Sequence, residues 1–138
     1  MKRSILAVVA GLVVWMLVAT LINFGLRAGM AGYAHAEPAL AFTLSMKIAR
    51  LILAALASLA AGAVVALIAP AKAAPRWVFG ALMLALFIPV HIQLWTKFPV
   101  WYHLVFLGTL LPLVLLGAVL PGTRRRTSPT EVGSKIAV

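Results

Sequence analysis

Three histidines, His35, His91 and His103, carry the side chains best suited to bind a metal ion or transfer a proton. Glu37 lies close to the first of them, and imidazole with carboxylate is a ligand set that zinc and copper accept. The spacing of these four residues matches no established ligand motif, and one acidic residue is a small number for a metal site. A metal site formed by all four is one of three hypotheses that the polar residues raise.

A second hypothesis places a quinone or a haem beside His91 and His103. Polar and aromatic residues lie close to these histidines in the sequence, namely Gln93, Trp95 and Tyr102. Histidine with aromatic walls suits the binding of such cofactors. The pattern is generic, however, and no motif identifies a particular cofactor, so the cofactor stays unknown at this point.

A third hypothesis concerns Lys47 and Arg50, which are three residues apart and therefore share one face of a helix. Two cations on one face would form a site for an anion or a lipid headgroup. The competing interpretation of all these polar side chains is structural. Long side chains near a membrane extend towards its interface, cap helices and form hydrogen bonds between helices.

Hydrolytic catalysis is disfavoured by the residues that are missing. The chain has no cysteine, and neither Ser45 nor Ser58 has a visible base and orienting acid. The sequence also lacks a glycine-rich phosphate loop and a His-Glu-x-x-His motif. We therefore assign no catalytic residue, and the sequence favours a protein that is not an enzyme.

The elements that must position these residues are four continuous apolar runs. The chain is 64% hydrophobic and 10% charged, whereas soluble domains are about 45–50% apolar and about 25% charged, so lipid is the expected solvent. A membrane-spanning helix needs about 20 apolar residues, and runs of about this length predict helices near 4–26, 40–69, 76–95 and 99–120. The predicted fold is an all-α, antiparallel, up-down four-helix membrane bundle in residues 1–121, with a basic, disordered tail in residues 122–138.

The distribution of basic residues predicts the orientation of this bundle. Eight basic residues fall on one side of the membrane and four on the other. The side richer in Lys and Arg is the cytoplasmic one, so both termini are predicted to be cytoplasmic. All three histidines, together with Glu37, Lys47 and Arg50, then belong to the outer side. Membrane topology also explains the net charge of +10 without a nucleic-acid partner.

The first run admits a second interpretation. Lys2 and Arg3, the apolar stretch and the small residues around His35 resemble a signal peptide with a cleavage site after Ala36. We prefer a retained helix, because the run is longer than the 7–15 residues of a signal-peptide core. Cleavage would leave three helices.

Small residues predict how the helices pack. The second run carries four of them at a spacing of four, which permits the close approach of another helix and makes this run the expected central helix: Ala54, Ser58, Gly62 and Ala66. We expect packing within the bundle, with a dimer face as the alternative. At the other end of the bundle, three consecutive arginines would bind anionic lipid or anchor the topology: Arg124, Arg125 and Arg126.

One stretch of the sequence resembles known proteins. Residues 95–103, WTKFPVWYH, resemble a segment of small uncharacterised bacterial four-helix inner-membrane proteins. The resemblance covers the last two helices and implies the architecture and a bacterial inner membrane, without an activity. In size and helix count the chain also resembles the small multidrug resistance transporters. Those carry a membrane-embedded glutamate in the first helix, and no apolar run of this chain contains an acid.

These observations favour a small, multi-pass, non-enzymatic accessory or interaction protein of a bacterial inner membrane. Its expected partners are the lipid bilayer and either a second copy of the chain or a larger membrane complex. A small transporter or channel is the main alternative. A membrane redox or metal-binding protein that uses the outer histidines is the other.

Overall fold

The structure, a computed structural model, describes residues 1–125, with side chains through residue 121. It contains five α-helices and, within that range, no strand: α1 (Lys2–Gly29), α2 (Tyr33–Ala39), α3 (Leu44–Ile68), α4 (Ala74–Gln93) and α5 (Val100–Arg125). Four helices are long and apolar enough to cross a membrane, namely α1, α3, α4 and α5 through Pro121. The prediction of an all-α protein with four apolar spans is therefore confirmed for the described residues.

The short helix α2 was not expected, and it displaces the start of the next helix. The sequence predicted a helix beginning at residue 40, whereas α3 begins at Leu44. Leu40 adopts a left-handed conformation with φ of 55°, and its N–H donates to the carbonyls of Ala36 and Glu37, which ends α2. A new helix then starts after Thr43, whose hydroxyl accepts a hydrogen bond from the Met46 N–H at 3.4 Å.

Helix α3 lies at the centre of the bundle, with its main contacts to α5 and α1. Helix α4 packs chiefly on α5 and closes the bundle through a smaller contact with α1. All four small residues predicted for packing on α3 are buried: Ala54, Ser58, Gly62 and Ala66. A Cβ atom on Gly62 would overlap the carbonyl oxygen of Val114, and one on Gly117 would overlap that of Leu59. The backbones of α3 and α5 therefore touch at two reciprocal glycine positions.

The buried apolar residues form two clusters. The larger cluster fills the middle of the bundle and includes Val65, Phe79, Met83, Leu110 and Val114. The smaller one includes Tyr33, Phe42, Met46, Phe98 and Tyr102 and packs α2 and the 94–99 connection against α3 and α5. Many large apolar side chains on all four long helices point outwards instead, including Leu21 on α1, 68% exposed, and Leu104 on α5, 64% exposed. Such a surface is suited to contact with lipid.

Candidate functional site

A chain of hydrogen-bonded polar side chains connects α1, α2 and α3 beside the smaller cluster. The Glu37 carboxylate accepts a hydrogen bond from Asn23 Nδ2 at 2.9 Å and pairs with Arg27 Nε at 3.2 Å. The Tyr33 hydroxyl donates to Asn23 Oδ1 at 2.8 Å and accepts from Arg50 Nη1 at 2.9 Å. We call these five residues the polar chain. Every link in it joins two different helices.

The charges in the polar chain do not cancel. Arg27 and Glu37 form an ion pair, whereas Arg50 has no carboxylate partner among residues 1–121. The Arg50 guanidinium lies 4.7 Å from the centre of the Phe42 ring and interacts with the hydroxyls of Tyr33 and Tyr102. Its Nε is buried and donates to no acceptor in the described residues. Arg50, at the opposite end of the polar chain from Arg27, therefore carries one uncompensated positive charge and one unused N–H donor.

Arg50 faces a cavity of about 320 Å³ that we call the Arg50 cavity. Four members of the polar chain line it together with Tyr102, and four further aromatic residues line it as well: Trp15, Phe24, Phe87 and Phe106. Trp15 and Arg27 are twelve residues apart on α1, which corresponds to about 18 Å along a helix. The cavity therefore extends from a polar, charged end to an aromatic end within the bundle.

The aromatic end of the Arg50 cavity is held in place by specific contacts. Trp15 Nε1 donates to the Ser58 hydroxyl at 3.1 Å, and that hydroxyl donates to the Ala54 carbonyl at 2.7 Å. The ring centres of Trp15 and Phe87 are 4.9 Å apart, and those of Phe87 and Phe106 are 5.1 Å apart. Because its polar atoms are paired, this end presents an ordered apolar wall to the cavity.

The histidines at positions 91 and 103 form a second polar feature, the histidine pair, between α4 and α5. The Nδ1 atoms of His91 and His103 are 2.7 Å apart, and the two residues are 5% and 1% exposed. At this distance one Nδ1 carries the proton and donates it to the other. The Trp95 ring stacks on His103 at 4.8 Å, and the Phe106 ring lies 4.4 Å from His91.

The geometry of the histidine pair is that of a hydrogen bond. Nitrogen ligands lie about 2.0–2.1 Å from a tetrahedral zinc ion, which places two of them about 3.3 Å apart. The 2.7 Å between the His91 and His103 nitrogens is shorter than that. A metal ion between these two atoms would therefore require the two rings to move apart.

The structure does not assemble the predicted metal site from His35, His91, His103 and Glu37. No group of three or more His, Asp or Glu side chains in the described part of the chain is placed to hold a metal ion. His35 is exposed, and Glu37 is engaged with Asn23 and Arg27. Residues two apart on a helix differ by about 200° in direction, which explains why His35 and Glu37 leave α2 on different sides.

The other predicted site residues are separated in the same way. Arg50 and Tyr102 line the Arg50 cavity, whereas Lys47 and Gln93 do not. Lys47 is half-buried and Gln93 is exposed. The expected anion site of two neighbouring cations is therefore reduced to Arg50. Of the three arginines predicted to bind anionic lipid, Arg126 and the side chains of Arg124 and Arg125 lie outside the described residues.

Of the five residues of the polar chain, the sequence singled out Glu37 and Arg50 as candidates, but not Asn23, Arg27 or Tyr33. Asn23 and Arg27 are four residues apart on α1, and Tyr33 and Glu37 are four apart on α2. Each pair therefore shares a helix face, and two such pairs at the same end of the bundle are the signal that was available. Nothing in the sequence shows that Ser58 accepts the N–H of Trp15, so the contact between these two residues could not be predicted.

Comparison of this chain with protein-family models, with curated proteins and with solved structures finds no match. The function therefore has to be inferred from the geometry of its polar features. The Arg50 cavity has the volume of a small-ligand site and an unpaired charge. The two histidines share a hydrogen bond and do not line this cavity, and the buried His103 Nε2 has no partner in the described residues.

Proposed function

We propose that this chain is a non-enzymatic, multi-pass protein of a bacterial inner membrane that binds an amphipathic anion in the Arg50 cavity. The observation that carries the proposal is the state of Arg50. Its guanidinium lines the cavity, lacks a carboxylate partner within residues 1–121 and keeps a buried Nε without an acceptor. A buried polar group of this kind is costly without a partner. A carboxylate or phosphate bound to the guanidinium from the cavity would supply the counter-charge, and a turn of the side chain towards it would give the Nε–H an acceptor.

The rest of the cavity supports an amphipathic ligand rather than a small inorganic anion. Beyond Arg50 the walls include Leu53, Phe87 and Phe106, and within residues 1–121 no further cation except Arg27 lines the cavity. Arg27 is already paired with Glu37. A ligand with one anionic group and a hydrocarbon or aromatic body matches this distribution of charge and apolar surface.

The residues around the cavity support binding without reaction. The Ser58 hydroxyl is held between Trp15 and the Ala54 carbonyl, so in residues 1–121 no base is placed to activate it. Glu37, the one carboxylate in the described part of the chain that lines the cavity, is neutralised by Arg27 and accepts from Asn23. An accessory protein that holds a membrane-soluble ligand, alone or within a homo-oligomer or larger membrane complex, is consistent with these features.

The proposed topology has four spans that alternate in direction, with both termini in the cytoplasm. The eight-to-four distribution of basic residues supports this orientation. The resemblance of residues 95–103 to a segment of bacterial inner-membrane proteins supports the location. In this orientation the Arg50 cavity lies in the outer half of the membrane.

Binding of a fluorescent long-chain fatty acid to the protein in neutral detergent tests the proposal. We expect Arg50→Gln to weaken binding by about 10- to 150-fold, because a hydrogen bond to a charged group contributes about 1.5–3 kcal/mol. Lys97→Gln is the matched control, since Lys97 is exposed and belongs to the same proposed side. The corresponding long-chain alcohol should bind wild type and Arg50→Gln equally. Equal fatty-acid affinity of wild type and Arg50→Gln would show that Arg50 is not an anion site.

A further inference from the structure

A second cavity, of about 300 Å³, lies at the opposite end of α3. We call it the Arg76 cavity. Ala66, which lines it, is sixteen residues beyond Arg50 on α3, a separation of about 24 Å along the helix. Because the hydrocarbon core of a membrane is about 30 Å thick, the two cavities belong to opposite halves of the bilayer. The residues around the second cavity have no role in the function proposed above.

Among the described residues, the Arg76 cavity has one cation in an otherwise apolar lining. Its walls come from the end of α3, the connection that follows it and the end of α5. They consist of Ala66, Leu67, Pro70, Ala118, Val119 and Pro121 together with Arg76. Leu67 and Val119 are 58% and 55% exposed, so the rim of the cavity continues into the outward-facing apolar surface of the bundle.

The Arg76 side chain is fixed, and its hydrogen bonds are incomplete. It leaves the first turn of α4, and its Nη2 donates to the Pro70 carbonyl at 3.0 Å. Its Nε is buried and donates to no acceptor in the described residues. No carboxylate pairs with it within residues 1–121. The guanidinium is therefore held against the Pro70 carbonyl with its charge uncompensated and one donor unused.

We propose that the Arg76 cavity binds the phosphate of an anionic phospholipid. The phosphate accepts from the Arg76 guanidinium, and an acyl chain follows the exposed Leu67 and Val119 into the bilayer. Three observations support this assignment. Arg76 is unpaired and held by one hydrogen bond, and the apolar lining joins the lipid-facing surface. The cavity also lies about 24 Å along α3 from Arg50, close to the thickness of the hydrocarbon core. Trp77, next to Arg76 and 55% exposed, is the residue type that occupies the headgroup region.

The test is native mass spectrometry of the full chain in neutral detergent with added phosphatidylglycerol. Arg76→Gln is compared with Lys72→Gln, which removes the same charge from an exposed position in the connection just before α4. We expect wild type and Lys72→Gln to retain one lipid, and Arg76→Gln to bind it at least about tenfold more weakly. Equal retention by Arg76→Gln and Lys72→Gln would overturn the site.

Two further arms identify the ligand. Phosphatidylcholine should bind more weakly than phosphatidylglycerol, and equal binding would overturn the preference for an anionic lipid. Inorganic phosphate should fail to displace the lipid, and full displacement at millimolar concentration would identify a free-phosphate site instead.

Val119→Trp, at an exposed wall position, leaves Arg76 intact and should also reduce lipid retention by filling the cavity. Retention unchanged in Val119→Trp would place the lipid elsewhere even if Arg76→Gln failed to fold.

Discussion

His91 on α4 and His103 on α5 share one hydrogen bond between their Nδ1 atoms, 2.7 Å apart, in a buried aromatic environment. This contact joins two consecutive long helices near the connection between them. Each imidazole depends on the other, because a buried donor or acceptor that loses its partner keeps the cost of its desolvation.

The histidine pair should therefore show strong coupling in a double-mutant cycle. We expect His91→Phe or His103→Phe alone to lower the free energy of unfolding by about 1–3 kcal/mol, since each leaves a buried partner unsatisfied. The double variant should lose less than the sum of the two. Unfolding titrations in mixed micelles give the three values. His35→Phe is the control, because His35 is exposed, and purely additive effects would argue against the shared hydrogen bond.

The reciprocal glycine contacts predict a large effect of one methyl group. Gly62→Ala should lower the free energy of unfolding by about 1–3 kcal/mol, because the new Cβ meets the Val114 carbonyl and forces α3 and α5 apart. Gly108→Ala is the matched control, since a Cβ there meets nothing within 4 Å. It should be neutral or stabilising, because alanine is a better helix former than glycine. Similar losses in both variants would contradict the close approach at Gly62.

Tyr33 is the middle link of the polar chain, so its hydroxyl should matter for both stability and binding. Tyr33→Phe removes the donor to Asn23 and the acceptor for Arg50. We expect a loss of about 1–3 kcal/mol in the free energy of unfolding, since Tyr33 is fully buried. Fatty-acid affinity should fall as well, although less than in Arg50→Gln, because the Arg50 charge is retained.

Tyr102→Phe provides the comparison for the Tyr33 variant. Tyr102 also lines the cavity and interacts with Arg50, but it has no hydrogen bond to Asn23. Its loss should affect binding with a smaller effect on the unfolding free energy. If Tyr33→Phe unfolds and binds as wild type does, the polar chain does not position Arg50.

The proposed orientation predicts the side of each reporter fusion. A reporter fused after Val138 should be cytoplasmic, and one inserted into the 30–32 connection should be external, because the basic residues are concentrated on the side of the termini. Reporter activity in a bacterial host gives both answers. The opposite pattern would move both cavities to the other halves of the membrane.

The sequence was sufficient to predict the four apolar spans, because lipid imposes a simple requirement on any helix that crosses it. A segment without water must be long, apolar and helical, and α1, α3, α4 and α5 satisfy that requirement in composition alone. The sequence was not sufficient to predict α2, because this helix has only seven residues and depends on a left-handed backbone conformation at Gly32 and Leu40. No apolar periodicity marks such a helix.

The sequence also could not show which polar residues meet. Whether His91 faces His103 depends on the rotation of α4 and α5 about their own axes, and that rotation is set by packing between helices. The same applies to Arg50 and Lys47, which share a helix face although Arg50 lines the cavity and Lys47 does not. Residue types were enough to select the candidate site residues, but only the contacts between helices show which of them lie together.

The unequal helix contacts have a consequence for how a ligand reaches Arg50. Helix α1 contacts α4 much less than it contacts α3. The Trp15 ring of α1 and the Phe87 ring of α4 touch in this small contact, and both line the cavity. If the proposed ligand enters from the bilayer between these two rings, Trp15 has to give up its hydrogen bond to Ser58, whereas the glycine contacts between α3 and α5 stay intact. A ligand that takes this route is supplied by its partitioning into the membrane, so its occupancy follows its mole fraction in lipid rather than its concentration in water.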